Sequence, residues 1–316
     1  MRAWLAFHRL TPWLRWPLKW LMLATAVGLI LFPCVWLLPT YISRMRNLDA
    51  LIDPNAPELA PLEREVRTRV ALRMLNADVG VAAPLAGDIG ASPAPSAASS
   101  DAPAAAIAAT LRETENVVYR HVPYDWDWNT WGVFDYVPTV HEVFVKGHED
   151  CDGRAVVAAS LLRRMGIPTA IRCDLMHVWV HTPYGEAMTV PGQGPATVTT
   201  PEGGGPTRVN LTPAALANLA RGTTFGVWAF PVGRVALLWL AVCLVAAHPR
   251  SSRVRRVVGP LVALAGLALV RYAGQNVAYH EEFPWIAVAG WALAAVGLIV
   301  LMLRGAVKPR PAFALE

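Results

Sequence analysis

Gly147-His148-Glu149-Asp150-Cys151-Asp152-Gly153-Arg154-Ala155 is a polar turn that runs straight into an apolar segment, Ala155 to Met165, closed by Gly166. The pattern predicts a helix that starts at Cys151, with Asp150 as its N-cap and Gly166 as its stop. A thiol at a helix start faces the positive end of the helix dipole, which lowers its pKa and favours thiolate. The carboxylates of Asp150 and Asp152 act in the opposite direction. Val156, Leu161, Leu162 and Met165 give the helix an apolar side for packing on a sheet. Three strands are predicted next: Pro168 to Cys173, His177 to Thr182, and Glu186 to Val190, the last two joined through Pro183-Tyr184-Gly185. A cysteine at a helix start followed by a histidine at a strand start is the order used by cysteine acyl-transfer enzymes, in which the imidazole takes and returns the proton.

Working outward, Pro61 to Ala77 carries an apolar stripe of Leu62, Val66, Val70 and Leu72 and predicts a helix. Val81 to Ala106, rich in Ala, Pro, Ser and Gly, predicts a flexible insertion. Residues 111–200 then hold the chemistry, with 44–110 before them as helix plus flexible segment. Residues 201–226 read as a linker in which Thr212-Pro213 opens a short helix to about Ala220, stopped by Gly222.

On either side of this loop the chain is strongly apolar. No charged residue occurs from Trp20 to Ser43, nor from Pro284 to Leu303. A helix needs about 20 apolar residues to cross the hydrocarbon core, so both runs are long enough. Val227 to Ala247, with Arg234, and Val257 to Ala273, with Arg271, are weaker runs. The expected organisation is residues 1–43 as basic N-terminus and first span, 227–303 as three further spans, and 304–316 as a tail. Basic residues cluster before the first span (Arg2, Arg9, Arg15, Lys19), between the second and third (Arg250, Arg253, Arg255, Arg256), and after the fourth (Arg304, Lys308, Arg310). The positive-inside rule then puts both termini in the cytoplasm and the long loop outside it. The first run is too long for a cleaved signal peptide and lacks an A-x-A site, so it reads as a retained anchor. The net charge of +5 is a topology signal. Between Arg44 and Gly226 there are 15 basic and 20 acidic residues, which argues against a nucleic-acid partner.

The stretch Trp131-Gly132, Asp135-Tyr136, Pro138-Thr139, Glu142, Gly147, Asp150-Cys151-Asp152, Ala155, Leu161-Leu162-Arg163, Gly166-Ile167-Pro168 and His177-Val178-Trp179-Val180 resembles the transglutaminase-like superfamily, within it the bacterial transglutaminase-like cysteine proteinases. The resemblance covers about a quarter of the chain. It implies an α+β fold with a papain-like core, set here in an extracytoplasmic loop and joined to about four transmembrane helices. It also implies Cys151 as nucleophile, His177 as general base, and a peptidase or amidase acting on a protein or peptide. The apolar runs anchor it, and the Arg/Ala/Pro-rich composition and positive-inside signal suit a bacterial inner membrane with the domain periplasmic. Surrounding lipid is the other partner. Two departures stand out. The family's acid after the histidine strand is absent at Pro191-Gly192-Gln193-Gly194, which leaves Glu186, Gln193 or no third member. The family's Asp-Cys-Glu-Asp reads Asp150-Cys151-Asp152-Gly153 here. No cofactor is required by this chemistry, but some relatives bind calcium beside the nucleophile, which makes Asp150 and Asp152 candidate Ca²⁺ ligands.

Other readings remain open. Cys151 and Cys173 are placed where a disulfide can form. Cys34 and Cys243 fall within spans, as small apolar residues. His141, His148 and His177 fit no standard zinc spacing. The aromatic run Tyr124-Asp125-Trp126-Asp127-Trp128-Asn129-Thr130-Trp131 either covers the core or walls a cleft, with Trp131 or Asn129 near the oxyanion. The missing acid also suits a catalytically inactive binding or signalling module.

Overall fold

The computed structural model describes residues 12–78, 102–174, 176–190, 193–201, 205–210, 212–248, 251–277 and 284–303. Residues 1–11, most of the Ala/Pro/Ser-rich segment and the tail from 304 lie outside the described residues. The chain divides into two compact units, one built on Thr224–Val277 with the segments before Phe32 and after Glu281, the other on Phe32–Thr223.

The first helix, α1 (Pro12–Leu31), ends before the apolar run does. A 3-10 turn over Val35–Leu37 and a second helix, α2 (Leu38–Arg46), follow. The single span expected from Trp20 to Ser43 is therefore broken at Phe32-Pro33-Cys34. Pro33 disfavours helical geometry at Phe32, and Pro39 is tolerated in the first turn of the next helix. Tyr41 and Met45 of α2 pack on the core of the second unit.

That unit continues with α3 (Leu59–Asp78), α4 (Ala102–His121), the short α5 (Asp127–Thr130), α6 (Val140–Lys146) and α7 (Cys151–Arg164). Helix α4 begins inside the segment expected to be flexible, because Ala102 to Ala106 is a run of good helix formers after its Pro. Helix α7 is the spine of the fold and is buried without interruption from Ala155 to Leu162. It packs with Leu59, Leu62 and Val66 of α3, Val117 and Val118 of α4, and Ile171 and Val180 of the sheet. Arg163 and Arg164 sit in its last turn, where cations suit the dipole, and Gly166 leaves the helix at φ +85°.

The sheet has five strands: β1 (Ala170–Cys173), β2 (Val178–Thr182), β3 (Gly185–Ala187), β4 (Val198–Thr199) and β5 (Arg208–Val209). Their order is β3-β2-β1-β4-β5, antiparallel throughout. The three expected strands are present but shorter. The two-residue β4 and β5, in a stretch read as linker, extend the sheet to Val209. The observed class is thus mixed helix with a small antiparallel sheet.

Helix α8 (Pro213–Ala229), divided between the two units at Thr224, runs past Gly222 and breaks instead at Phe230-Pro231, before α9 (Val232–Ala246). Among the described residues two helices, α10 (Arg253–Val277) and α11 (Trp285–Met302), are long and apolar enough to cross a membrane, or up to four if each broken pair is one span. Gly259 and Gly266 of α10 lie against the backbone of α11, and Gly290 and Gly297 return the contact, so a Cβ at any of them would collide. Arg271 donates to the carbonyls of Val227 (2.7 Å) and Phe230 (3.0 Å) at the α8 break. Lys19 donates to those of Val245 (2.5 Å) and Ala247 (3.4 Å) at the end of α9. Each cation answers carbonyls that a helix end leaves unpaired.

Candidate active site

Cys151 is the first residue of α7. Its cap, Asp150, accepts from the Asp152 N–H at 3.1 Å. The thiol donates to Asp152 Oδ1 at 3.4 Å, and the Val178 N–H at the start of β2 reaches the sulfur. Burial, then Asp150 and Asp152, push the thiol well above its ordinary pKa, and the Val178 N–H opposes them only in part. The lowering expected from the helix dipole is therefore overruled. A half-buried sulfur flanked by two carboxylates is held as thiol.

His177 immediately precedes Val178, the residue whose N–H reaches the sulfur. Asp174 shapes the entry to β2 by accepting from the N–H groups of Met176 (2.7 Å) and His177 (2.8 Å). The ring nitrogen Nε2 lies 2.6 Å from the Met188 carbonyl. A carbonyl only accepts, so Nε2 carries the proton and Nδ1 is the basic nitrogen of the neutral ring. Burial lowers the His177 pKa, favouring that neutral form. No hydrogen bond joins the Cys151 and His177 side chains among the described residues.

The third member expected from the sequence lies elsewhere. Glu186 pairs across the strands with His181, whose Nδ1 is 3.6 Å away, and bonds Arg172 (3.4 Å) and Gln193 (3.1 Å). Gln193 accepts from the Val190 N–H. Neither touches His177, because both belong to the β3 side of the sheet. The orienting group is instead the Met188 carbonyl. Met188 has φ +62°, the one positive φ at a non-glycine among the described residues. Its N–H donates to Glu115 on α4, and the Thr189 N–H also reaches that carboxylate. Burial raises the Glu115 pKa, and these two N–H groups act against the rise.

Around the thiol stands a cluster of carboxylates. Asp127, Glu149 and Asp150 offer donor atoms within 4.8 Å of one another, as do Asp127, Asp135 and Asp152, and as do Asp150, Cys151 and Asp152. Glu149 and Asp127 are 0% and 1% exposed. Burial, followed by mutual repulsion, raises Asp127, Asp150 and Asp152 well above the usual carboxylate range. Asp127 Oδ2 accepts the Tyr136 N–H at 2.6 Å, but its buried Oδ1 has no donor. Tyr41 on α2 donates to Asp135 at 2.6 Å. Clustered carboxylate oxygens with an orphaned buried atom are the donor set a hard cation takes, so these residues fit calcium better than the pair Asp150 and Asp152 alone. No histidine joins these groups among the described residues.

Trp131 and Asn129, expected near the oxyanion, are engaged otherwise. Trp131 Nε1 donates to Glu149 at 2.9 Å and Asn129 Nδ2 to Asp125 at 2.7 Å. Trp126 and Trp128 stack with centroids 4.6 Å apart. Gly153 explains the altered nucleophile motif, because a Cβ there would collide with Glu149 and come within 2.8 Å of Pro138. All four cysteines are free, so the Cys151–Cys173 disulfide is not formed. Cys34 lies at the break after α1, in the unit of the site, and its sulfur is 3.6 Å from where a Gly132 Cβ would be.

No family model, curated protein or solved structure matches the chain.

The site therefore stands on its own geometry. Glu115 and Met188 were invisible to sequence reading, since one lies on a distant helix and the other acts through its carbonyl. Asp127, Asp135 and Glu149 carried only one signal, the recurrence of acids within the aromatic run and after it.

Proposed function

We propose that the chain is a membrane-anchored cysteine hydrolase of transglutaminase-like type, a peptidase or amidase whose domain between the first two apolar segments faces away from the cytoplasm of a bacterial inner membrane. The observation that supports the reading is that Cys151 opens α7 and the N–H that reaches its sulfur belongs to Val178, the residue after His177. The nucleophile begins a helix, the adjoining strand hands its first N–H to the sulfur, and the preceding imidazole is held by a carbonyl with its basic Nδ1 free of a proton.

In the reaction, His177 Nδ1 accepts the thiol proton as the sulfur attacks an amide carbonyl carbon. The C–S bond forms and the carbonyl π pair moves onto oxygen. The Cys151 N–H, at a helix start with no carbonyl four residues before it, is the first oxyanion donor. The proton passes from His177 to the leaving amine as the C–N bond breaks, which gives a thioester. Water then attacks, His177 takes its proton, and the C–S bond breaks to release the acid and the thiol. Met188 fixes the ring and Glu115 fixes Met188.

Asp127, Asp135, Glu149, Asp150 and Asp152 are proposed to hold Ca²⁺. When bound, it supplies positive charge that offsets the carboxylates now holding Cys151 as thiol. A second reading has two observations in its favour: burial and the flanking carboxylates raise the thiol pKa, and no hydrogen bond joins Cys151 to His177 among the described residues. On that reading the domain is an inactive binding or signalling module.

The deciding experiment is alkylation of Cys151 against pH in the full-length protein, with Ca²⁺ or chelator and with His177→Ala. The hydrolase reading expects fast reaction below the ordinary thiol pKa of about 8.5, lost with chelator and slowed by His177→Ala. A Cys151 that stays slow with Ca²⁺, or ignores His177, establishes the inactive module instead.

A further inference from the structure

From Cys151 to Leu162 every residue of α7 is buried except two, Cys151 and Arg154. Three positions apart on a helix, they are neighbours on one face, about 5–6 Å between Cβ atoms.

Arg154 is held in an unusual way. Its Cζ lies 5.0 Å from the ring centroids of both Tyr119 and Tyr124, so two aromatic rings grip it. Its Nε donates to the Val122 carbonyl at 2.9 Å. Tyr119 and Tyr124 are 41% and 44% exposed, so the rings also wall the approach to Cys151. Arg44, Arg163 and Arg164 in the same unit each bond a carboxylate. Arg154 makes no such ion pair within 4.0 Å among the described residues. A guanidinium stacked on ring faces keeps its N–H edge in the plane, where it can take a carboxylate with two parallel bonds.

The setting makes the charge matter. Asp150 and Asp152 flank the nucleophile, and Arg154 stands one helical turn away.

We propose that Arg154, gripped by Tyr119 and Tyr124, is a specificity-determining residue that binds a substrate carboxylate close to the carbonyl attacked by Cys151. The substrate class is then a peptide with an acidic side chain or a terminal carboxylate within a residue or two of the scissile bond. This rests on Cys151 being the nucleophile.

The test compares two reagents of one chemistry on the full-length protein in detergent with Ca²⁺. Iodoacetate and iodoacetamide both form an S–C bond and release iodide, but only the first carries a carboxylate. The rate at Cys151 is read from its peptide by mass spectrometry, in the wild type, Arg154→Gln and Arg154→Lys. The expected result is a fall of about tenfold in the iodoacetate/iodoacetamide rate ratio in Arg154→Gln, the size of a lost charge-assisted contact. Arg154→Lys should recover part of it. An unchanged ratio with normal iodoacetamide reactivity overturns the inference. So does a parallel fall of both rates, which would assign Arg154 to the fold or the thiolate. If neither reagent modifies wild-type Cys151, the nucleophile reading fails first and this inference falls with it.

Discussion

Two helix starts in the same unit handle acidic residues in opposite ways. At α6, Thr139 and Glu142 form a capping box, and Arg44 clasps the Glu142 carboxylate with bonds of 2.8 and 3.1 Å. Burial alone would raise Glu142, but Arg44 and the Thr139 N–H outweigh it and the carboxyl is lowered. At α7, Asp150 caps the helix in a similar manner, yet Asp127, Asp150 and Asp152 are raised together. Both starts are built on good local geometry. The difference is the counter-charge: one acid has an arginine, and the others have chiefly each other. An acid that is fully answered stabilises a fold. A set answered chiefly by its own members is raised by burial and repulsion, and protons or a cation can relieve it.

The largest expected effect follows from that contrast. Ca²⁺ at a hundredfold excess over its dissociation constant should stabilise the protein by about 2.7 kcal/mol, or roughly 5–10 °C in melting temperature. Asp127→Asn should remove most of the shift. An equal shift in Asp127→Asn, or none in the wild type, would place the α7 start in the same class as α6.

Next in size is Gly153→Ala. The added methyl meets Glu149, Pro138 and Val143, so overpacking should cost about 1–3 kcal/mol in thermal or denaturant unfolding. It should also blunt the Ca²⁺ response, because Glu149 must move. Thr139→Ala, which removes the cap at α6, should cost about 1 kcal/mol and leave the Ca²⁺ response intact.

The same contrast marks what was legible in the sequence. Helix α7, its cap and its first residue are written locally: Asp150 before Cys151, an Ala/Leu-rich run, then Gly166. The strand after His177 is equally local, since alternation declares it. Glu115 is not local. It sits on α4, and only packing brings it to Met188, whose part is played by a backbone carbonyl that any residue could supply. Glu186 misled for a related reason. It lies near in sequence to the position an acid should occupy, but the β2–β3 register turns it toward His181. Asp127, Asp135 and Glu149 converge through turns with no fixed spacing. The break at Pro33 was visible as a residue, but an uncharged run reads as one span until the helix after it is seen to pack on the soluble core through Tyr41 and Met45.

The smallest effect is the most discriminating, because the two starts should give pH dependences of opposite sign. Glu142 has a lowered folded pKa. Its contribution is therefore present above its unfolded value of 4.5 and is lost as pH falls through the folded one. The α7 acids have raised folded pKa values. Without a cation their contribution is complete below about 3.8, the unfolded value, and is lost as pH rises through the raised values. In chelator, stability measured upward from mildly acidic pH should fall, and Asp127→Asn should flatten that fall while leaving the loss on the acid side. Glu142→Gln should do the reverse, softening acid denaturation and leaving the fall at higher pH. With Ca²⁺ the fall should vanish in the wild type, because the cation takes the place of the protons. A fall that survives saturating Ca²⁺ would mean that protons, and no cation, relieve Asp127, Asp150 and Asp152, and that Cys151 sits beside a site with no bound metal.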